Sequence, residues 1–301
     1  MSDSALTWPH VSDIAHEISS QPACWSRAME ISGRVAGVLP TPGERVAIVG
    51  CGTSWFVAQA AASLRESAGH GPTDAFAASE FPAGRGYDRV VAISRSGTTT
   101  EVVRLLETVS GTRSVAICGV EGAPVADLAH DVVVLGFADE RSVVQTRFAT
   151  TALALLRSNA GGDLGPAIAD AERALVSPLP VEPESFVHFV SLGRGWTVGL
   201  ANEAALKMRE ASNSWAESYP AMEYRHGPVS VAGPSTLVWT LGDVEADVVA
   251  DVELTGATVV VGALDPMAEL VLIQRTAVAR AEARGLDPDH PRHLTRSVVL
   301  S

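Results

Sequence analysis

Short apolar runs alternate along the chain with longer segments in which apolar residues recur every three or four positions. The short runs predict buried strands, and the longer segments predict helices with one apolar face. In the first half the predicted strands lie at 45–50, 73–77, 89–94, 114–118 and 131–137. The predicted helices of this half lie at 54–68, 99–110, 124–129 and 143–157. This alternation is typical of an α/β fold with a doubly wound parallel sheet.

The alternation is interrupted and then starts again in the second half. Gly161-Gly162 and the three prolines at 178, 180 and 183 predict an interdomain stretch. Beyond it, strands are predicted at 186–190, 236–241 and 257–262, with helices at 196–212 and 267–284. We therefore expect two doubly wound units in tandem, at 41–165 and 180–301, after a helical lead-in at 1–40.

Composition and charge narrow the class of protein. The 301 residues are 47% hydrophobic, which allows a large core, and the net charge of -13 argues against nucleic acid and anionic membranes as partners. The sequence contains no apolar run of membrane-spanning length and no signal-peptide pattern at its start. Three scattered cysteines indicate a reducing compartment, so we expect a cytoplasmic protein. His290 and His293 lie close together without a third ligand nearby, and we expect neither a metal nor another cofactor.

Two hydroxyl-rich loops carry the first chemical signal. Residues 50–54 and 94–99 each follow a predicted strand and precede a predicted helix. Unpaired N–H groups and the helix dipole favour an anion at such a helix start, and Ser and Thr add hydroxyl donors. Neither loop has the GxxxxGK[ST] or GxGxxG spacing, so the usual nucleotide loops are absent from the sequence. The alternative interpretation is that these Ser and Thr residues only cap helices.

A charged triad on a predicted helix carries the second signal. Glu203, Lys207 and Glu210 are spaced four and three apart, which places all three on one helical face. The helix follows a predicted strand, at the sheet edge where ligand sites of α/β proteins form. A solvated stripe of ion pairs is the alternative. Lys207 is the only lysine in a chain with 22 basic residues, which favours a functional role.

At these residues the chain resembles the sugar isomerase (SIS) domain family, and in particular the isomerase half of glucosamine-fructose-6-phosphate aminotransferase. The motifs that carry the resemblance lie in order at 51–54, 79–81, 94–97, 192–195, 203–210, 225–228 and 287–299. The resemblance implies two flavodoxin-like units. Because the chain starts where the sugar half of that enzyme would start, we expect no glutamine-dependent ammonia supply.

The resemblance implies roles for individual residues. It places a sugar phosphate on Ser94, Ser96, Thr99 and the backbone N–H of Arg95, with Thr53 and Ser54 facing the same pocket. The further implied substrate contacts are Val143, Gln145, Glu203 and Arg296.

The implied catalytic residues are Glu210, Lys207 and His226. Glu210 matches the base that moves a proton between C1 and C2, and Lys207 matches a lysine that lines the same site. His226 matches a histidine that assists ring opening and that comes from the neighbouring subunit, which implies a homodimer.

Two positions depart from the family pattern. Gln145 stands where the aminotransferase has a serine, so this part of the pocket is expected to differ. Arg296 stands where the aminotransferase has a lysine that forms an imine with the ketose sugar. A guanidinium stays protonated and is not a nucleophile at neutral pH, so Arg296 cannot make the imine, although it could bind a phosphate or a sugar hydroxyl.

The expected function is therefore acid–base chemistry at C1 and C2 of a hexosamine 6-phosphate or its N-acetyl form. A free amine leads to isomerisation with loss of ammonia, whereas an acylated nitrogen allows dehydration. Two other functions stay open from the sequence: a phosphosugar sensor without catalysis, and deglycation of fructosamine 6-phosphates.

Overall fold

The computed structural model describes residues 12–82 and 84–300 of the chain, and over these ranges nine strands form two parallel sheets. The first sheet consists of β1 Val46–Gly50, β2 Thr73–Ala77, β3 Arg89–Ser94, β4 Ser114–Cys118 and β5 Asp131–Val134. The second consists of β6 His188–Gly193, β7 Trp215–Pro220, β8 Thr236–Leu241 and β9 Thr258–Val261. The order β2-β1-β3-β4-β5 is the flavodoxin order, and β7-β6-β8-β9 repeats it with one strand fewer. The prediction of two doubly wound α/β units is confirmed.

Helices cover the sheets and connect them. The first half contains α1 Asp13–Ser19, α2 Gln21–Val35, α3 Thr53–Ser67, α4 Thr100–Thr108, α5 Pro124–Leu128 and α6 Arg147–Asn159. Helix α7, Gly165–Val176, lies between the two units. The second unit contains α8 Thr197–Ser212, α9 Ala246–Glu253 and α10 Pro266–Ala283. In the portion of the chain that the structure describes, none of these helices is long and apolar enough to span a membrane.

One hydrophobic core lies between the two sheets. Ile48 and Val91 of the first sheet and Leu237 and Trp239 of the second belong to the same buried cluster, together with side chains of α3, α6, α8 and α10. The neighbouring strand residues point to the outer faces of their sheets and form separate clusters there. Because successive residues of a strand face opposite sides, strands covered on both faces are apolar throughout.

A close approach of α3 and α8 joins the two units. A Cβ atom added at Gly199 would lie 2.5 Å from the carbonyl oxygen of Phe56 and 2.6 Å from the amide nitrogen of Ala60, so only glycine permits this separation. Asn202 also donates a 2.6 Å hydrogen bond to Gln59 across the same contact. The packing brings the start of α3 beside the last turns of α8.

Several elements differ from the predictions. Strand β7 and helices α7 and α9 were not predicted, and β6 lies two to three residues later than expected. The fifth strand is shorter than 131–137, and α6 begins at Arg147 rather than at 143 because the backbone of Val143 bonds to other segments. The lead-in at 1–40 falls partly outside the described residues, and its described part forms α1 and α2, separated at Ser20.

Candidate active site

Both hydroxyl-rich loops lie at the carboxyl edge of the first sheet. Residues 51–52 connect β1 to α3, and residues 95–99 connect β3 to α4; since β1 and β3 are neighbours, the loops are adjacent. Gly97 has a φ of +65°, and an added Cβ would lie 2.4 Å from the Cβ of Ala123. The turn therefore needs glycine both for its backbone conformation and for lack of space. Ser94 accepts a 3.2 Å hydrogen bond from the Gly97 amide, which fixes the turn.

Lys207 connects three segments of the site. Its Nζ donates to Oε2 of Glu210 at 2.6 Å, to the carbonyl of Gln145 at 2.9 Å and to the hydroxyl of Thr53 at 3.0 Å. An ammonium group has three hydrogens, so its donors are fully used. The Lys207 side chain is 1% exposed, whereas that of Glu210 is 20% exposed. The prediction that these residues share one helical face holds, and their burial excludes a solvated ion-pair stripe.

Glu203 lies beneath this pair. Its Oε1 is 3.3 Å from the Lys207 nitrogen, but neither carboxylate oxygen accepts a hydrogen bond from the described residues. Burial raises the pKa of Glu203 to about 7, and the charge of Lys207 opposes that rise. For Lys207, burial lowers the pKa, but the carboxylates of Glu203 and Glu210 raise it by more, so the net shift is upward and the ammonium stays charged.

A cavity of about 170 Å³ lies over these groups. The predicted residues that line it are Thr53, Thr99, Val143, Gln145, Glu210 and Arg296. The C-terminal tail, residues 294–298, forms one wall. Cys51 also lines the cavity, and burial raises the pKa of its thiol to about 11, so it is not a thiolate near neutral pH.

Arg95 has a role that its position in the loop did not predict. Its guanidinium is buried and donates to the carbonyls of Ser142 at 2.9 Å, Val143 at 3.3 Å and Arg296 at 2.7 Å. The carboxylate of Glu140 lies 3.8 Å away and offsets part of its charge. The side chain thus ties the loop to the cavity wall and to the tail.

Arg296 anchors the tail rather than reaching into the cavity with its charge. Its guanidinium forms an ion pair with Asp139, at 2.6 and 2.8 Å, and donates to the carbonyl of Glu140. The sequence suggested that the Arg296 guanidinium could bind a phosphate or a sugar hydroxyl, but in the structure protein groups already bind it.

Two carboxylates that the sequence did not single out, the buried Glu17 and the half-buried Asp289, position the wall at 139–146. Glu17 of α1 is 2% exposed and accepts from the amides of Arg141 at 2.5 Å and Ser142 at 3.3 Å. Asp289 accepts from two amides at the start of α1, and its own carbonyl accepts from Val143 at 3.0 Å. A glutamate on the same face as Ile14 and Ile18 was the available signal for Glu17.

Ser54, Ser94 and Ser96 are buried around the loops, with Ser96 facing the tail through Ser297. His226 ends a short 3-10 helix, Ala221–His226, and is exposed. Within the described residues of one chain, His226 is not among those that line the cavity beside Glu210.

A larger cavity of about 630 Å³ lies on the outer side of the first sheet, between α4 and the segment 84–87. Its lining includes Ser79 and Phe81 of the motif at 79–81, but none of the predicted catalytic residues of the described chain. The smaller cavity is therefore the better candidate for a reaction centre.

Comparisons with known proteins show which family and which folds this chain resembles. Residues 41–157 match the family model for the SIS domain. The chain is 27% identical to a glutamine–fructose-6-phosphate aminotransferase (isomerizing) of Bacteroides thetaiotaomicron, over 85% of this chain and 51% of that protein. The chain thus spans about half the length of the curated relatives it matches.

Two solved structures share the fold. The glucosamine-6-phosphate deaminase of Thermotoga maritima superposes with a TM-score of 0.84 and 25% identity, over 96% of this chain and all of that one. A tagatose-6-phosphate ketose/aldose isomerase of Escherichia coli superposes with a TM-score of 0.79 at 18% identity, over 96% of each chain, which shows a common fold.

Proposed function

Because residues 41–157 of this chain match the family model for the SIS domain, we propose that the protein is a phosphosugar enzyme that isomerises and deaminates a hexosamine 6-phosphate. The observation that carries the proposal is the position of Glu210: it lines the cavity, and a buried ammonium 2.6 Å away orients its carboxylate. The full-length likeness to a glucosamine-6-phosphate deaminase supports this substrate class.

The hydroxyl-rich loops supply the phosphate site in this proposal. Backbone N–H groups at the start of α4, with the hydroxyls of residues 94–99, donate hydrogen bonds to the phosphate. The adjacent cavity then receives the sugar carbons. The Thr53 hydroxyl serves mainly to hold Lys207, because it accepts one of the three ammonium hydrogens.

The chemistry begins with the open-chain aldehyde. Glu210 removes the proton from C2 while the aldehyde oxygen takes up a proton, which gives an enolamine. The proton held by Glu210 then returns at C1 as the nitrogen releases one of its protons. The product is an imine at C2, and attack of water there releases ammonia and leaves a ketose phosphate. Lys207 holds Glu210 in place and balances its negative charge.

No lysine-linked imine enters this route. The tail position that would carry such a lysine is Arg296, whose guanidinium is bound to Asp139. Lys207 has all three hydrogens in hydrogen bonds and is held beside two carboxylates, so it acts as a fixed charge.

Ring opening is assigned to His226 of a second subunit. The histidine is exposed at the edge of the second unit, and among the described residues no histidine lines the cavity. We therefore include a homodimer in the proposal, with each chain completing the other's site.

The test is an NMR assay in heavy water with glucosamine 6-phosphate, N-acetylglucosamine 6-phosphate and a fructosamine 6-phosphate. Turnover of the free amine to a ketose phosphate and ammonia, with deuterium at C1 of the ketose, is expected. Glu210→Gln should lower this rate by about 10²-fold or more while the matched exposed change Glu253→Gln leaves it unaltered. Binding without turnover would instead indicate a sensor, loss of water from the N-acetyl sugar a lyase, and release of an amino acid a deglycase.

A further inference from the structure

Three hydroxyl groups from distant parts of the chain meet at the edge of the loop at 94–99. Ser96 and Thr98 belong to the loop, and Ser297 belongs to the C-terminal tail. The oxygen–oxygen distances are 3.0 Å between Thr98 and Ser96, 3.1 Å between Ser96 and Ser297, and 2.8 Å between Thr98 and Ser297. The three oxygens thus form a nearly regular triangle.

This triangle has the chemistry of an anion site. Each hydroxyl carries one rotatable hydrogen, and in the structure these groups bond to one another. An oxygen placed above the centre of a triangle of this size lies within hydrogen-bond distance of all three corners. Turning the hydrogens toward a phosphate oxygen replaces neutral bonds with stronger charge-assisted ones.

Hydrogen bonds on both sides of Ser297 hold this part of the tail against the loop at 94–99 and the start of α4. The carbonyl of Val298 accepts from the Thr100 amide at 3.2 Å, and the Leu300 amide donates to the Thr100 hydroxyl at 2.9 Å. On the other side, Arg95 of the loop donates to the carbonyl of Arg296. The segment 294–298 is also a wall of the cavity. The cavity is therefore closed on this side when Ser297 lies beside the loop at 94–99.

We propose that Ser297 is a phosphate ligand carried by the tail, so that binding of the phosphate monoester and closure of the tail stabilise each other. This inference rests on the proposed function only in taking the loop at 94–99 as the phosphate site. Linkage requires the effect to be reciprocal: a tail that cannot reach the phosphate weakens phosphate binding, and a bound phosphate holds the tail down.

The first test measures affinity by calorimetry, with inorganic phosphate and with glucosamine 6-phosphate as the two ligands. Ser297→Ala should bind both about tenfold or more weakly, since one charge-assisted hydrogen bond is lost. Ser67→Ala, the same change at an exposed position at the end of α3, is the control and should bind as the wild type does. Unchanged affinity in Ser297→Ala would overturn the proposal, and so would tighter binding, because the hydroxyl would then compete with the phosphate.

The second test measures tail closure by trypsin cleavage after the exposed Arg292, followed by mass spectrometry. Inorganic phosphate should slow this cleavage in the wild type and in Ser67→Ala, and the protection should be largely lost in Ser297→Ala. Equal protection in Ser297→Ala would overturn the proposal.

These measurements need no turnover. A wild type that binds phosphate and closes but converts no hexosamine phosphate would refute the proposed function and leave the role of Ser297 standing. A fully active enzyme whose Ser297→Ala variant binds and closes normally would refute only the role of Ser297.

Discussion

The ammonium nitrogen of Lys207 lies 2.6 Å from a carboxylate oxygen of Glu210, one turn further along the same helix. The other hydrogens of that ammonium bond to the start of α3 and to the loop before α6. The contact therefore fixes the cavity-lining carboxylate relative to the first sheet, although Glu210 belongs to the second unit.

The same contact predicts that no imine forms on this protein. Incubation with fructose 6-phosphate and borohydride should leave the mass of the protein unchanged, because Arg296 is no nucleophile and Lys207 is charged and fully hydrogen-bonded. Intact-mass spectrometry with and without the sugar measures this. A reduced sugar adduct on Lys207, the one lysine of the chain, would show the opposite mechanism.

Glu203 predicts a specific dependence of stability on pH. Its pKa of about 7 in the folded chain lies above the ordinary value of 4.5, so between these values the folded state keeps a proton that the unfolded state has released. The free energy of unfolding should therefore fall as pH rises through this window, by up to about 1.4 kcal/mol per pH unit.

Glu203→Gln isolates that contribution. The stability difference between wild type and variant, measured by urea unfolding from pH 4 to pH 8, should be constant below about 4.5, shift against the wild type across the window, and level off above about 7. Two curves that run parallel throughout would mean that Glu203 does not titrate there.

A shared site predicts complementation between two inactive variants. When Glu210→Gln and His226→Ala chains are mixed equally and reassembled, half of the dimers are hybrids, and each hybrid has one complete site. About a quarter of the wild-type activity should return. Hybrids detected by native mass spectrometry without recovered activity would place His226 outside the site.

The close contact of α3 and α8 predicts an unequal response to two glycine substitutions. Gly199→Ala forces a Cβ to 2.5 Å from the Phe56 carbonyl and should lower the free energy of unfolding by about 1–3 kcal/mol. At Gly33 in α2 an added Cβ meets no atom of the described chain within 4 Å, so Gly33→Ala should be neutral or stabilising by up to about 1 kcal/mol. Denaturant unfolding compares them, and equal effects would contradict the packing argument.

The sequence predicted the features that depend on local pattern. Strands β1, β3 and β4 are buried along their whole length and mostly apolar because both faces are covered, and their boundaries match the predictions within a residue. The helical spacing of Glu203, Lys207 and Glu210 correctly predicted a common face. Strand β7 was missed because it is an edge strand with Glu217 and Ser218 among its residues and Pro220 at its end, a composition typical of a loop.

Features that depend on contacts between distant segments could not be predicted. The guanidinium of Arg95 bonds to Arg296, 201 positions away, and nothing in the loop sequence indicates that direction. The same holds for Ser297, which meets Thr98 across 199 positions. Glu17 is buried because the amides of Arg141 and Ser142 satisfy it, and those partners become adjacent only in the folded chain.

The core between the two sheets has a consequence for the ancestry of such a chain. A protein made of the first unit alone would hold the hydroxyl-rich loops without Glu210, and one made of the second would hold Glu210 without the loops. In the second unit alone, the Lys207 ammonium would also lack Thr53 and the Gln145 carbonyl as hydrogen-bond partners. If two copies of one unit were once joined, the proposed reaction centre arose only after the joining, as a property of the pair that neither copy possessed.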